Sequence, residues 1–239
     1  MGRIFNRNAL KYIAVIAMLI DHIGYFFVPT MIGDAINPLG FICRLIGRLT
    51  APIMCYFLAE GFYYTRSKLK YGIRLFIFAL ISQGPFLYAR GLAWNTLEFN
   101  MIFNLFLCFI ILVCYSKIEN MVLKLLSIVL LLYLCTYCDW SFIAPLWVLS
   151  FYVFRDYTRE KFVLFSVVGL IFLSLSTNLL FTDLSMWYTS IWQFGIYMAI
   201  PLLLMYNGRK GNPHPINKWI FYLFYPLHLL VIALIIHLA

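Results

Sequence analysis

Nine long apolar runs, separated by short loops, set the terms on which this chain can fold. A helix that crosses the hydrocarbon of a bilayer needs about 20 mostly apolar residues. Runs of that kind recur at roughly 9–28, 39–63, 71–89, 98–115, 121–138, 140–154, 161–181, 187–206 and 217–237, the sixth being the shortest. Backbone groups in lipid must be satisfied within the segment, and these continuous runs lack the short alternating pattern of barrel strands. The expected fold class is therefore all-α, a polytopic transmembrane helical bundle of about nine spans forming a single domain over 1–239. Composition agrees: 64% of residues are hydrophobic and 11% charged, where a soluble domain is nearer a quarter charged. The first run is followed by another span and not by a small-residue cleavage site, so no removable signal peptide is expected.

The loops orient the bundle. Lys and Arg outnumber Asp and Glu by 18 to 9, yet this surplus does not argue for nucleic acid, because it sits in short loops where membrane orientation accounts for it. With the N-terminus inside, the inner segments hold Arg3, Arg7 and Lys11; Arg66, Lys68, Lys70 and Arg74; Lys117 and Lys124; Arg155, Arg159 and Lys161; and Arg209, Lys210 and Lys218. The outer segments hold only Arg90, while Arg44 and Arg48 lie within the second run. An N-inside, C-outside topology follows, and losing one span would put basic loops on both sides. The longest break, NGRKGNPHPINK from Asn207 to Lys218, is rich in Gly, Pro and Asn and reads as an inner loop.

Ionisable groups inside spans are costly and point to function. Here they are Asp21 and His22, Arg44 and Arg48, Glu60 and His228, with Gln83, Asn100, Asn104 and Gln193 as weaker polar members. From the topology, Asp21 and His22, Arg44 and Arg48, Asn100 and Asn104, and His228 reach comparable depths, and one shared cavity open to the outside is expected. Arg44 and Arg48 are one helical turn apart and project from one face, as do Asn100 and Asn104. Two guanidinium groups at such depth call for a carboxylate or an anionic ligand. Asp21 and His22 are adjacent, so they point ~100° apart on a helix and do not easily pair. Asp21 is expected to neutralise an arginine, and His22 to act as a base near neutral pH. Set against this, His228, Asn100 and Asn104 also read as interhelical hydrogen-bonding groups, and the Arg44–Asp21 pair as a packing salt bridge.

The six cysteines form no disulfide framework. Cys43, Cys55, Cys108 and Cys114 lie in spans, where a thiol packs as a small apolar group. Cys135 and Cys138 make a CxxC with no second Cys/His pair nearby, so packing is expected there and no metal site.

Several stretches carry a resemblance. IAMLIDHIGYFF is followed by RLIGRLTAPIMCYFLAEGFYYTRSKLKYGIRLFIFALISQGPF, and YNGRKG and KWIFYLFYPLHLL follow near the C-terminus. Between them, EFNMIFNLF and DWSFIAPLWVLSFYVFR are also family-like. Together these closely resemble the TraX family of bacterial membrane proteins, named for the F-pilin acetylase that acetylates a pilin N-terminus. That family in turn is similar to membrane acyltransferases that O-acylate surface polysaccharides and to the lysosomal heparan-glucosaminide N-acetyltransferase. The resemblance implies a multi-pass protein of the bacterial cytoplasmic membrane that takes acetyl-CoA as cosubstrate. It implies His22 as the histidine of the early span, Arg44 and Arg48 as polar-site residues, and Tyr225 and His228 as the C-terminal signature. It leaves the acceptor open, a peptide amine or an envelope glycan.

On that reading, the coenzyme phosphates need cations on the inner face. Arg66, Lys68, Lys70 and Arg74 offer one set; Arg209 and Lys210, between glycines that let backbone N–H groups approach a phosphate, offer another. His22 acts as general base or forms an acyl-imidazole, and Arg48 or Asn104 faces the developing oxyanion. An alternative from another class is a small proton-coupled transporter or flippase for an anionic lipid or metabolite, with Asp21 and His22 as proton relay. It would favour inverted repeats with broken helices, and no repeat is visible in the sequence. A non-catalytic scaffold leaves the buried polar groups without a purpose.

Overall fold

The computed structural model describes residues 2–33, 35–176 and 184–238, without the side chains of 184–189 and 218. Its helices are α1 (Arg7–Phe27), α2 (Pro38–Gly47), α3 (Thr50–Tyr64), α4 (Lys68–Ala89), α5 (Met101–Lys117), α6 (Met121–Cys135), α7 (Ile143–Val153), α8 (Thr158–Ser176), a 3-10 segment (Leu184–Met198) running into α9 (Ala199–Leu204), and α10 (Ile216–Leu238). A two-stranded antiparallel hairpin, β1 (Met31–Ile32) with β2 (Ala35–Ile36), joins α1 to α2. Each expected apolar run thus falls on a helical stretch. The end of the seventh run, residues 177–181, lies outside the described residues. Among the described residues, four helical stretches are long and apolar enough to cross a membrane: Arg7–Phe27, Pro38–Tyr64, Lys68–Ala89 and Trp219–Leu238. The helices at 101–117, 121–135, 143–153 and 190–204 are apolar and shorter.

The chain forms two compact units, both discontinuous in sequence. One comprises Met1–Met54 and Asp156–Asn217, the other Cys55–Arg155 and Lys218–Ala239. The first unit is centred on buried Leu10, Ala14, Ile53, Phe165 and Ile196. The second buries Phe62, Ile111, Leu112, Trp147 and Leu229. Phe62 meets Phe109 edge-on at 5.3 Å and Tyr152 at 5.4 Å. Cys135 and Cys138 pack with Leu107 and Ile111 as small apolar groups. Apolar side chains also face outward: on α6, Met121, Val122, Leu126, Val129 and Leu130 are exposed, the pattern of a helix whose solvent is lipid.

One boundary departs from the sequence reading. The second run, expected as one helix over 39–63, breaks at Arg48–Leu49, and Arg48 caps α2. Pro52 supplies the reason. It has no N–H to donate to the Arg48 carbonyl four residues back, so it suits the first turn of a new helix and not the interior of an old one. Arg44 lies in the last turn of α2, where the helix dipole favours a cation.

The loop after α9 is tied to the start of α1. Phe5 pairs with Tyr206, its N–H donating to the Met205 carbonyl at 3.1 Å while its own carbonyl accepts from Asn207 at 2.9 Å. The Arg7 N–H donates to the Arg209 carbonyl at 2.9 Å. Asn8 Nδ2 donates to the Asn212 carbonyl at 2.8 Å, and the Tyr12 hydroxyl to Asn217 Oδ1 at 2.6 Å.

Candidate functional site

The first unit assembles one charged cluster from α1 and α2. Arg44 Nη1 donates to Asp21 Oδ1 at 2.8 Å, and Arg48 Nη2 stands 3.9 Å from the same oxygen. These side chains are only 12%, 10% and 19% exposed, for Arg44, Arg48 and Asp21 in turn, so the ions are mostly withdrawn from solvent and depend on one another. The close helix approach comes from glycine. A Cβ on Gly47 would overlap Asp21 Cβ and Oδ1, so α2 passes the carboxylate only because residue 47 has no side chain. A Cβ on Gly24 would likewise run into Cys43.

Aromatic rings close over the arginines. The Arg44 guanidinium lies 5.1 Å from the centre of the Tyr25 ring and 4.6 Å from that of Trp192, and Arg48 lies 4.5 Å from the same Trp192 ring. Rings at such distances attract cations by their negative faces. Neither aromatic was expected from the sequence. Tyr25 stands one helical turn after Asp21 and was readable from spacing. Trp192 is far along the chain, where no spacing rule reaches.

His22 sits beside this cluster on α1. Its Nδ1 is 2.8 Å from the Met18 carbonyl. A carbonyl oxygen only accepts, so Nδ1 carries the proton and Nε2 holds the basic lone pair of the neutral ring. The ring stacks along Phe26 at 6.2 Å. His22 therefore has a fixed tautomer and an orientation set by its own helix.

The other expected polar residues belong to the second unit. Asn100 caps α5: its Oδ1 accepts from the N–H groups of Ile102 at 3.0 Å and Phe103 at 3.1 Å. Its Nδ2 donates to the Ala79 carbonyl and to Gln83 Oε1, both at 2.8 Å. Asn104 Nδ2 donates to the carbonyls of Asp139 at 2.6 Å and Ser141 at 3.0 Å. An amide has two N–H protons, and in both residues both are committed. Both amide protons of Asn104 thus tie α5 to the 139–141 turn. Tyr225 accepts from the Met101 N–H at 3.3 Å. His228 repeats the arrangement of His22, its Nδ1–H donating to the Phe224 carbonyl at 2.8 Å, and its ring lies 5.6 Å from that of Tyr225. Asn100 and Tyr225 thus meet the start of α5. Of the expected polar groups, Asp21, His22, Arg44 and Arg48 belong to the first unit, and Asn100, Asn104, Tyr225 and His228 to the second.

The basic loops differ in build. Ser67 caps α4, and Lys68 lies over Phe62 at 4.1 Å while Arg74 lies over Tyr71 at 5.6 Å; Arg66 and Lys70 are exposed. In the first unit, Arg209 and Lys210 are exposed between Gly208 and Gly211. Those glycines have φ of 75° and 81°, a conformation that favours glycine. The loop is anchored at Arg7, and His22 lies about 22 Å farther along α1 at 1.5 Å per residue. Among the described residues, no group of three His, Cys, Asp or Glu is placed to hold a metal.

Comparison with known proteins adds three findings. The sequence profile of the TraX protein family matches residues 6–236. The probable fimbrial assembly protein FimC, serogroup H1, of Dichelobacter nodosus is 28% identical over 240 residues, covering 96% of this chain and 95% of that protein. The uncharacterized protein RP591 of Rickettsia prowazekii (strain Madrid E) is 37% identical over 84 residues, 34% of this chain and 30% of its own length. No solved structure matches the chain.

Proposed function

Because the chain belongs to the TraX family, which matches it from residue 6 to residue 236, we propose that it is an integral-membrane acetyltransferase. It moves an acetyl group from cytosolic acetyl-CoA to an amine or hydroxyl acceptor, with His22 as general base. The bundle crosses the bacterial cytoplasmic membrane about nine times, N-terminus inside and C-terminus outside. The family's association with pilin acetylation, and the name of the Dichelobacter relative as a probable fimbrial assembly protein, favour the N-terminus of a pilin-like peptide as acceptor over an envelope glycan.

The observation that carries this reading is the tautomer of His22 beside a paired arginine cluster. With Nδ1–H held by the Met18 carbonyl, Nε2 is the atom that takes a proton. As the acceptor nitrogen or oxygen bonds to the thioester carbonyl carbon, Nε2 removes the acceptor's proton. The carbonyl oxygen gains negative charge, and Arg48, beside the Arg44–Asp21 pair, supplies a cation for it in a partly dehydrated setting. The C–S bond then breaks, and the imidazolium returns its proton to the leaving thiolate. Acetyl-CoA supplies the activated thioester. Arg209 and Lys210 suit its phosphates, because both are exposed on a glycine-bounded loop tied to the start of the helix that carries His22. Arg66, Lys68, Lys70 and Arg74 form the second candidate set.

The test is release of free CoA from acetyl-CoA by the purified protein, alone and with bacterial envelope extract, for the wild type and His22→Ala. Release that vanishes in a folded, CoA-binding His22→Ala protein is the expected result. Absence of CoA binding and release in the wild type would remove the acetyltransferase reading, and proton-coupled transport would be measured next.

A further inference from the structure

The 3-10 segment is built as three edges. At three residues per turn, positions i and i+3 lie above one another. Trp192 and Gly195 share one edge, Gln193 and Ile196 a second, Phe194 and Tyr197 a third. The first edge faces α2, and the other two face α8. On the first edge, Trp192 stacks on Arg44 and Arg48 of α2 and its C-cap, and a Cβ on Gly195 would overlap the Leu45 carbonyl and crowd Arg48 Cβ. On the second, Ile196 lies against Gly169 of α8. On the third, the Tyr197 hydroxyl donates to the Ser166 carbonyl at 3.0 Å. Gly195 brings the segment onto α2, and that approach sets the indole against both guanidinium groups.

The two arginines are held differently. Arg44 has the short bond to Asp21, at 2.8 Å; Arg48 stands 3.9 Å from that oxygen, beyond hydrogen-bond range. Their distances to Trp192 are nearly equal, 4.6 Å and 4.5 Å. The carboxylate holds Arg44 at hydrogen-bond distance and Arg48 farther off, while the indole face lies over both guanidinium groups.

On the acetyltransferase reading, we infer that Trp192 is a positioning residue that aims Arg48 at the oxyanion, while Arg44 and Asp21 form the structural lock. An aromatic face at 192 is then needed for turnover and not for binding the donor.

The experiment measures kcat and KM for acetyl-CoA in Trp192→Phe, Trp192→Leu, Arg48→Gln and the double variant Trp192→Leu/Arg48→Gln. Trp192→Leu should lose roughly tenfold or more in kcat with KM within about twofold, as for an interaction made mainly in the transition state. Trp192→Phe should keep most of the activity. In the Arg48→Gln background, Trp192→Leu should cost little further, because a residue acting through Arg48 has nothing left to aim. Equal kinetics for the Phe and Leu variants, a loss confined to KM, or additive losses in the double variant would overturn the inference. Should Trp192→Leu not fold, the same cycle is read with Trp192→Phe, whose smaller loss must likewise vanish in Arg48→Gln. A wild type that releases no CoA removes the acetyltransferase reading itself, and the inference with it, which is a different outcome from any of these.

Discussion

Asp21 Oδ1 accepts a 2.8 Å hydrogen bond from Arg44 Nη1 at the level where Gly47 lets α2 pass against α1. One carboxylate, one guanidinium and one missing side chain make this close meeting of the two helices a charged one. A polar contact of this kind fixes register, because sliding either helix by one residue would strand both charges.

Removing the carboxylate should show how strongly the arginines depend on it. Asp21→Asn leaves two mostly buried cations without their shared counter-ion, an expected loss of about 3–5 kcal/mol in stability. Arg44→Gln in the Asp21→Asn background should cost less than the sum of the single losses. Thermal unfolding in detergent, run as a double-mutant cycle, gives the coupling. Additive losses would mean that the 2.8 Å contact contributes nothing of its own.

Gly47 offers a steric test of the same contact. A methyl group there meets Asp21 Cβ and Oδ1, so Gly47→Ala should destabilise by about 1–3 kcal/mol and loosen the ion pair. Gly84→Ala is the control, since its Cβ would meet only the Trp94 ring, at 3.4 Å. Similar melting temperatures for the two variants would argue against the tight helix approach.

Asn104 separates structural from catalytic polarity. Asn104→Leu removes the donors to the Asp139 and Ser141 carbonyls, and leaving those groups unpaired should cost about 1–3 kcal/mol. Because both amide protons of Asn104 are given to those carbonyls, kcat of the folded Asn104→Leu protein should stay within about threefold of wild type, well short of the ~100-fold cost of losing an oxyanion donor. A loss of that larger size with unchanged stability would support the oxyanion role.

Orientation can be read by labelling single cysteines in a cysteine-free background with a membrane-impermeant maleimide on intact cells. Trp94→Cys, in the loop between α4 and α5, should label from outside, whereas Lys210→Cys and Lys70→Cys should label only after the membrane is opened. Labelling of Lys210→Cys and Trp94→Cys from the same side would require a different number of spans between them.

Much of this was legible in the chain itself. Apolar runs of span length determine helices wherever water is absent, because a lipid-facing backbone has no other way to satisfy its polar groups. The basic loops predict an orientation for a similarly local reason, which the labelling above tests. Spacing alone put Arg44 and Arg48 on one face, and cost alone called for a carboxylate or an anionic ligand beside them; the Asp21 contact is a carboxylate. Local rules also held Pro52, which splits the second run, although that break follows only when its missing N–H is matched to the Arg48 carbonyl. What spacing could not reach was decided by tertiary packing. Gly47 matters because another helix passes it, and Trp192 because a 3-10 segment far along the chain lays its ring on both arginines. The amides of Asn100 and Asn104 looked equally fit for a cavity or for a helix contact, since a side chain's chemistry does not say which carbonyls it will meet. Periodicity and solvation are properties of a segment and are written in the sequence, whereas the partners of a buried polar group are set by which segments fold together.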